Sequence, residues 1–164
     1  ALRLETKNFG RKIIMEFGEA IKSFFNRYVD FQGRSSRSEY WWVQLFLFIV
    51  GFGGSFLAGF FIFISPVITQ LFYVILILFQ LGVLIPSIAL SVRRLHDTGR
   101  SGFFMLMPLA AIPFYLAGLS NLNEALLGFG GLIYLGTAIT LIVFFCLPGE
   151  DAKNKFGTNP LKAK

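Results

Sequence analysis

The sequence is poorest in charge where its apolar runs are longest: the 53 residues from Tyr40 to Val92 contain no Asp, Glu, Lys or Arg. Charged residues make up 15% of the 164-residue chain, against 55% hydrophobic. A single core of this size cannot bury that much apolar surface, which argues against an ordinary soluble domain. There is one cysteine, Cys146, so an intrachain disulfide is excluded. In its apolar surroundings it reads as a small hydrophobe. One histidine, one cysteine and scattered carboxylates lack the ligand spacing of a zinc or other transition-metal site. Neither a phosphate-cradling glycine loop nor a dinucleotide fingerprint is present, and no cofactor is expected. Ala1 to Glu39 is charged throughout, without the continuous apolar stretch of a secretory signal.

What the chain has in quantity is phenylalanine, 21 residues, a ring suited to lipid and to dry helix contacts. A membrane-spanning helix needs about 20 residues, so the uncharged stretch is long enough for two. Ser65-Pro66 divides it, because a residue before proline is biased away from helix. Spans are expected at about 40–64, 67–92, 103–119 and 125–147. The third is shorter and carries Pro108 and Pro113; with Pro86 in the second, these should kink or break their helices. Asn121-Leu-Asn-Glu124 has the spacing of a capping box ahead of the fourth span. Eight Lys/Arg precede the first span, three lie between the second and third, four follow the fourth, and none falls in the other two connections. By the positive-inside rule both termini are cytoplasmic. The expected fold is therefore all-α: an integral membrane four-helix bundle, N-in and C-in, spanning 31–148, with a cytoplasmic tail at 149–164.

Residues 1–30 form a separate unit. Phe9, Ile13, Phe17, Ile21, Phe24 and Tyr28 recur at helical spacing, with Arg11, Lys12, Glu16, Glu19, Lys22 and Arg27 largely on the other faces. Such an amphipathic helix beside a membrane should lie in the interface, or pack on the cytoplasmic loops or a partner. The net charge of +6 comes from residues flanking apolar segments, a pattern that suits anionic phospholipid headgroups and not nucleic acid.

The most specific text is polar and lies on one side. It comprises Phe31-Gln-Gly-Arg-Ser-Ser-Arg-Ser-Glu-Tyr-Trp41, Arg93-Arg-Leu-His-Asp-Thr-Gly99 and Pro148-Gly-Glu-Asp-Ala-Lys-Asn-Lys-Phe-Gly157. With these three motifs in order, the sequence resembles the YhaH-like family of small bacterial inner-membrane proteins of unknown function, over about 24–160. The resemblance implies a four-helix protein of the bacterial inner membrane, and carries no activity, substrate or catalytic residue. The tail departs slightly, with Ala152 or Lys153 where a glycine is common in the family.

Read from their chemistry, Arg34, Arg37 and Glu39 at the mouth of the first span face Arg93, Arg94, His96, Asp97 and Arg100 in the hairpin between the second and third. Glu39 is expected to pair with Arg93 or Arg94, and Asp97 with Arg34 or Arg37. Such a cluster either locks the fold or binds a lipid phosphate or an acidic partner segment. His96-Asp97 invites a general-base reading, but adjacent residues seldom make that contact and no matching nucleophile is evident. Asp97-Thr98-Gly99 spells the aspartic-protease triplet; one copy between membrane helices is more simply a turn.

Inside the spans Gln80 lies near the centre of the second, where a carboxamide commonly joins helices. Gly51, Ser55 and Gly59 are spaced to let a second backbone approach, within the bundle or from another subunit. With no catalytic constellation, the chain reads as a non-catalytic accessory or stabilising subunit of a larger membrane complex. The alternatives are a small oligomeric transporter or channel, and an anionic-lipid-binding module using the arginine cluster. The expected partners are the bilayer and other membrane subunits, or a second copy.

Overall fold

A computed structural model describes residues 15–162. Five helices are present, with no strand among the described residues: α1 (Phe17–Asn26), α2 (Arg37–Phe61), α3 (Pro66–Asp97), α4 (Gly102–Ser120) and α5 (Glu124–Cys146). The last four are long and apolar enough to cross a bilayer. Of the amphipathic segment, Phe9, Arg11, Lys12 and Ile13 lie outside the described residues.

Helix α2 starts at an N-cap, with Ser36 Oγ accepting the Glu39 N–H at 3.2 Å. Around Gly51, Gly53 and Gly54 it widens into a π-turn at Ile49–Gly53 before regaining α geometry. Helix α3 starts with Pro66 in its first turn, where the missing N–H costs nothing. It runs on to Asp97, past the apolar boundary near Val92, so Arg93, Arg94, His96 and Asp97 are helical and not part of a hairpin. Arg94 suits the negative end of the helix dipole. The stop is a Schellman turn: Arg100 N–H reaches Leu95 O at 3.0 Å and Gly99 N–H reaches His96 O at 3.1 Å. Gly99 takes the left-handed conformation this requires, φ 73°.

Pro86 does not end α3. Lacking an N–H, it leaves the Gly82 carbonyl without a helical donor, and the Tyr28 hydroxyl donates to that carbonyl. In α4 the prolines do change the geometry. Gly102–Ala111 is a 3₁₀ helix containing Pro108, and α geometry resumes at Ile112–Ser120 with Pro113 in its first turn. A 3₁₀ helix rises about 2.0 Å per residue, so α4 spans roughly 33 Å despite being the shortest of the four. That matches a hydrocarbon core of about 30 Å. Helix α5 is capped by Asn123, whose Oδ1 accepts the Leu126 N–H at 3.2 Å. The expected box from Asn121 to Glu124 is thus displaced, with Glu124 already the first helical residue.

The spans form two antiparallel hairpins. In α2–α3, Gly51 lies over the Gln80 carboxamide and Gly54 over Leu76; in α4–α5, Gly118 lies over Leu127 and Gly130 over Phe114. Of the small residues singled out in the first span, Gly51 packs inside the bundle, while Ser55 and Gly59 line a shallow outer dent with Phe56, Phe60 and Phe63. The hairpins join toward the basic end, in a core of Tyr40, Val43, Val83, Leu90, Leu95, Leu141 and Phe145. Tyr40 and Phe145 have ring centroids 4.5 Å apart. Helix α1 closes this core with Ala20 and Phe24, both fully buried, and packs on α2. Trp42 Nε1 donates to Met15 O at 3.0 Å, and Met15 N–H donates to Ser38 Oγ at 3.0 Å. Phe17 and Phe25 on its flanks stay exposed, so α1 both docks on the bundle and presents rings outward.

Candidate functional site

The three polar motifs converge at the basic end, where α2 and α4 begin and α3 and α5 finish. Their centre is Asp97 in the last turn of α3. Its Oδ1 accepts from Arg34 Nε at 2.9 Å and forms an ion pair with Arg34 Nη2 at 2.8 Å. Its Oδ2 is bonded by Arg94 Nη1. One carboxylate therefore bridges a helical arginine and a loop arginine, offsetting one of their two charges, with both arginines and the aspartate buried.

The arginines spend their remaining donors on backbone carbonyls. Arg34 Nη1 reaches Ala152 O at 2.8 Å, and its Nη2 bonds Glu150 O. Arg94 Nε reaches Phe145 O at 3.2 Å, and its Nη2 bonds Leu147 O. These are the end of α5 and the start of the tail, where carbonyls have no helical donor. Arg93, fully buried, donates from Nε to Ser35 Oγ at 3.0 Å and from Nη1 to Arg27 O at 3.2 Å and to Asp30 O. Its Nη2 is buried without a hydrogen-bond partner. The three guanidinium groups thus pin three separate segments, the α1–α2 loop, the end of α5 and the tail, onto the end of α3.

The tail is shaped to be held. Asp97 O accepts the Glu150 N–H at 2.9 Å. A Cβ on Gly149 would fall on the Asp97 carboxylate, so only glycine fits there. Asn154 and Gly157 pair their backbones in a tight turn at 3.1 Å in both directions. Asn154 Nδ2 donates to His96 O at 2.9 Å, and Phe156 stacks on the His96 ring, centroids 3.7 Å apart and 3° from parallel. His96 Nδ1 lies 3.2 Å from Gly33 O. His96 is thus a platform for the tail, and its neighbour Asp97 bonds arginines and not the imidazole.

Of the two expected pairings, Asp97 does pair with Arg34, and the other needs correction. Among the described residues Glu39 makes no ion pair; buried in the first turn of α2, its Oε1 accepts from Ser23 Oγ of α1 at 2.8 Å. Helix α1 reaches it before either arginine does. Arg37 does not reach Asp97, but extends to Cys146 O at 3.4 Å from an exposed position. Arg100 lies over the Phe144 ring at 4.2 Å. Ser23, Ser35, Gly149, Asn154 and Phe156 complete the site and were not singled out from sequence. Ser35, Gly149 and the Asn154–Gly157 turn lie within the three polar motifs, which is the signal that marks them, though their contacts depend on the fold.

Outside the spans Asp30 balances opposing effects. Burial pushes its carboxyl up, but the hydrogen bond from Arg27 Nε at 2.8 Å and the Gln32 N–H hold it below the usual carboxylate range.

A family described as "Protein of unknown function (DUF805)" matches residues 28–158, which takes in all three motifs. The chain belongs to the DUF805 family. It is similar to "Inner membrane protein YhaI" of Escherichia coli (strain K12), 32% identical over 138 residues that cover 84% of this chain and 92% of that protein. It is also similar to "Inner membrane protein YhaH" of the same strain, 31% identical over 137 residues, 81% and 88% respectively. No solved structure matches. With four apolar spans and inner-membrane relatives, this DUF805 member is a multi-pass inner-membrane protein.

Proposed function

We propose that the protein is a non-catalytic subunit that docks on and stabilises a larger inner-membrane assembly, with both termini cytoplasmic. The observation that carries this is the fate of the motif residues. Arg34, Glu39, Arg93, Arg94 and Asp97 are all buried and turned to their own chain, chiefly its backbone. Residues that in an enzyme would face a substrate build the fold here. What remains for recognition is apolar helix surface, rich in exposed phenylalanine such as Phe48, Phe52, Phe56, Phe60 and Phe63. Mild-detergent solubilisation from the native membrane tests this. A stoichiometric foreign membrane subunit is the expected companion, and recovery of this chain with no such companion counts against the reading.

A second reading, anionic-lipid binding, is favoured by Arg37, exposed beside Trp41 at the basic end of α2. There a planar guanidinium suits a headgroup phosphate. On this reading an anionic-lipid requirement disappears in Arg37→Ala, and a requirement unchanged by that substitution sinks it.

A further inference from the structure

Polar side chains inside a span have two ways to avoid an unpaired hydrogen-bonding group in hydrocarbon: a partner on their own helix, or one on another helix. The hydroxyls take the first. Ser55 donates to Gly51 O at 2.7 Å, Ser87 to Val83 O at 2.6 Å, Ser91 to Ser87 O at 2.8 Å, and Thr140 to Gly136 O at 2.8 Å. Gln80 takes neither. It is exposed and has no hydrogen bond among the described residues. It lies about 20 Å along α3 from Pro66 and from Arg93 alike, too deep for its short side chain to reach water. Gln44 and Gln70, by contrast, lie within about two turns of the ends of their spans. Gly51 leaves room for the Gln80 carboxamide at the edge of the α2–α3 contact, since a Cβ there would stand 3.0 Å from Gln80 Nε2, while the residue itself stays exposed.

We propose that two copies of the chain associate in the bilayer through this face of α3, their Gln80 carboxamides hydrogen-bonded to each other across a two-fold axis. Three features select a second copy as the occupant. A carboxamide carries both donor and acceptor, so it is complementary to itself. All copies insert with one orientation, so a two-fold axis along the bilayer normal sets Gln80 level with Gln80, in an isologous contact. The rest of the stripe, Tyr73, Ile77 and Leu84, repeats at helical spacing and is exposed at 41%, 57% and 53%. A foreign helix would need its own polar group at the same depth. The inference does not require the accessory-subunit reading, since other faces of the bundle remain free for a foreign subunit.

The purified full chain in liposomes of Escherichia coli lipid extract, labelled for energy transfer between copies, tests it. Transfer should rise with protein-to-lipid ratio, and Gln80→Leu should weaken association about 3- to 20-fold, the range measured for interhelical hydrogen bonds in membranes. An independent arm keeps Gln80 and replaces Cys146 by serine. Leu84→Cys, on the Gln80 stripe, should cross-link on oxidation, while Leu78→Cys, 63% exposed on the opposite side of α3, should not. Adding Gln80→Leu to the Leu84→Cys chain should cut the cross-linked fraction. A chain monomeric at every protein-to-lipid ratio overturns the proposal. So does Gln80→Leu associating as tightly as the unmodified chain, or cross-linking at Leu78→Cys equal to that at Leu84→Cys. The native-membrane purification is read separately: a foreign companion there neither supports nor replaces contact between copies here.

Discussion

Helix α3 passes through two regions built on opposite rules. Across its apolar length most side chains are exposed, and along the other three spans few are buried. From Ala89 to Thr98 nearly every residue is buried, three of the charged ones included. In a soluble protein the apolar segment would be the packed core and the charged end would face water. Here lipid solvates the apolar side chains at no cost, so nothing drives their burial in protein. Charged groups at the membrane boundary get no such solvation from hydrocarbon. They are gathered inward and, Arg93 Nη2 apart, satisfied by one another, by serine hydroxyls and by backbone carbonyls. The best-packed part of this protein is its polar end.

The largest effect is therefore expected at Asp97. Asp97→Asn leaves Arg34 and Arg94 buried with no counter-charge and points an amide donor at one of the two guanidinium groups. Breaking a buried pair this way costs about 3–5 kcal/mol. Thermal unfolding in mild detergent measures it, and a loss under about 1 kcal/mol would mean that the polar end is not what holds the fold. Gly149→Ala comes next. Its new methyl would meet the Asp97 carboxylate, and overpacking of this kind costs about 1–3 kcal/mol. The same unfolding measurement should place it between Asp97→Asn and an unmodified chain, with the tail more open to protease. Smaller again is Tyr28→Phe, which strips the Gly82 carbonyl of the donor that replaces the one lost to Pro86. About 1 kcal/mol is expected, and it should vanish when Pro86→Ala restores the helical N–H. An undiminished effect in that background would show the hydroxyl to be incidental.

How much of this was legible depends on the kind of partner involved. The four spans, the amphipathic face of α1 and the Arg34–Asp97 pair follow from patterns that side chains alone create: length, periodicity and opposite charge. The partners that were missed are of a different kind. Arg93 and Arg94 bond carbonyls of Arg27, Asp30, Phe145 and Leu147, and every residue offers a carbonyl, so no side-chain pattern marks the one that is used. Charge alone matches Glu39 to an arginine, but Ser23 reaches it because α1 folds onto α2, a long-range fact. Hydropathy alone ends α3 near Val92. Arginine is a good helix former and favours a helix C-terminus, so the helix continues to the first residue that breaks it, Gly99. By its sequence Gln80 reads as glue between helices; that it has no hydrogen-bond partner among the described residues is visible only once the helices are placed.

The sharpest version of the contrast uses two pairs with the same chemistry and spacing. Arg94–Asp97 and Arg27–Asp30 are both arginine–aspartate pairs three residues apart, but the side chains are 0% and 5% exposed in the first and 31% and 41% in the second. If burial sets the size of the effect, Asp30→Asn should cost under about 1 kcal/mol, as water screens the pair and solvates whichever partner is left. Its signature is in pH. The Asp30 carboxyl titrates below its usual range in the folded protein, so its contribution is present above the unfolded value of about 3.9 and fades as pH falls through the lower folded value. Between pH 7 and pH 3 the unmodified chain should lose slightly more thermal stability than Asp30→Asn, which has no carboxyl to protonate there. Equal losses for Asp30→Asn and Asp97→Asn at pH 7 would show that pairing itself, and not its removal from water, is what the basic end depends on.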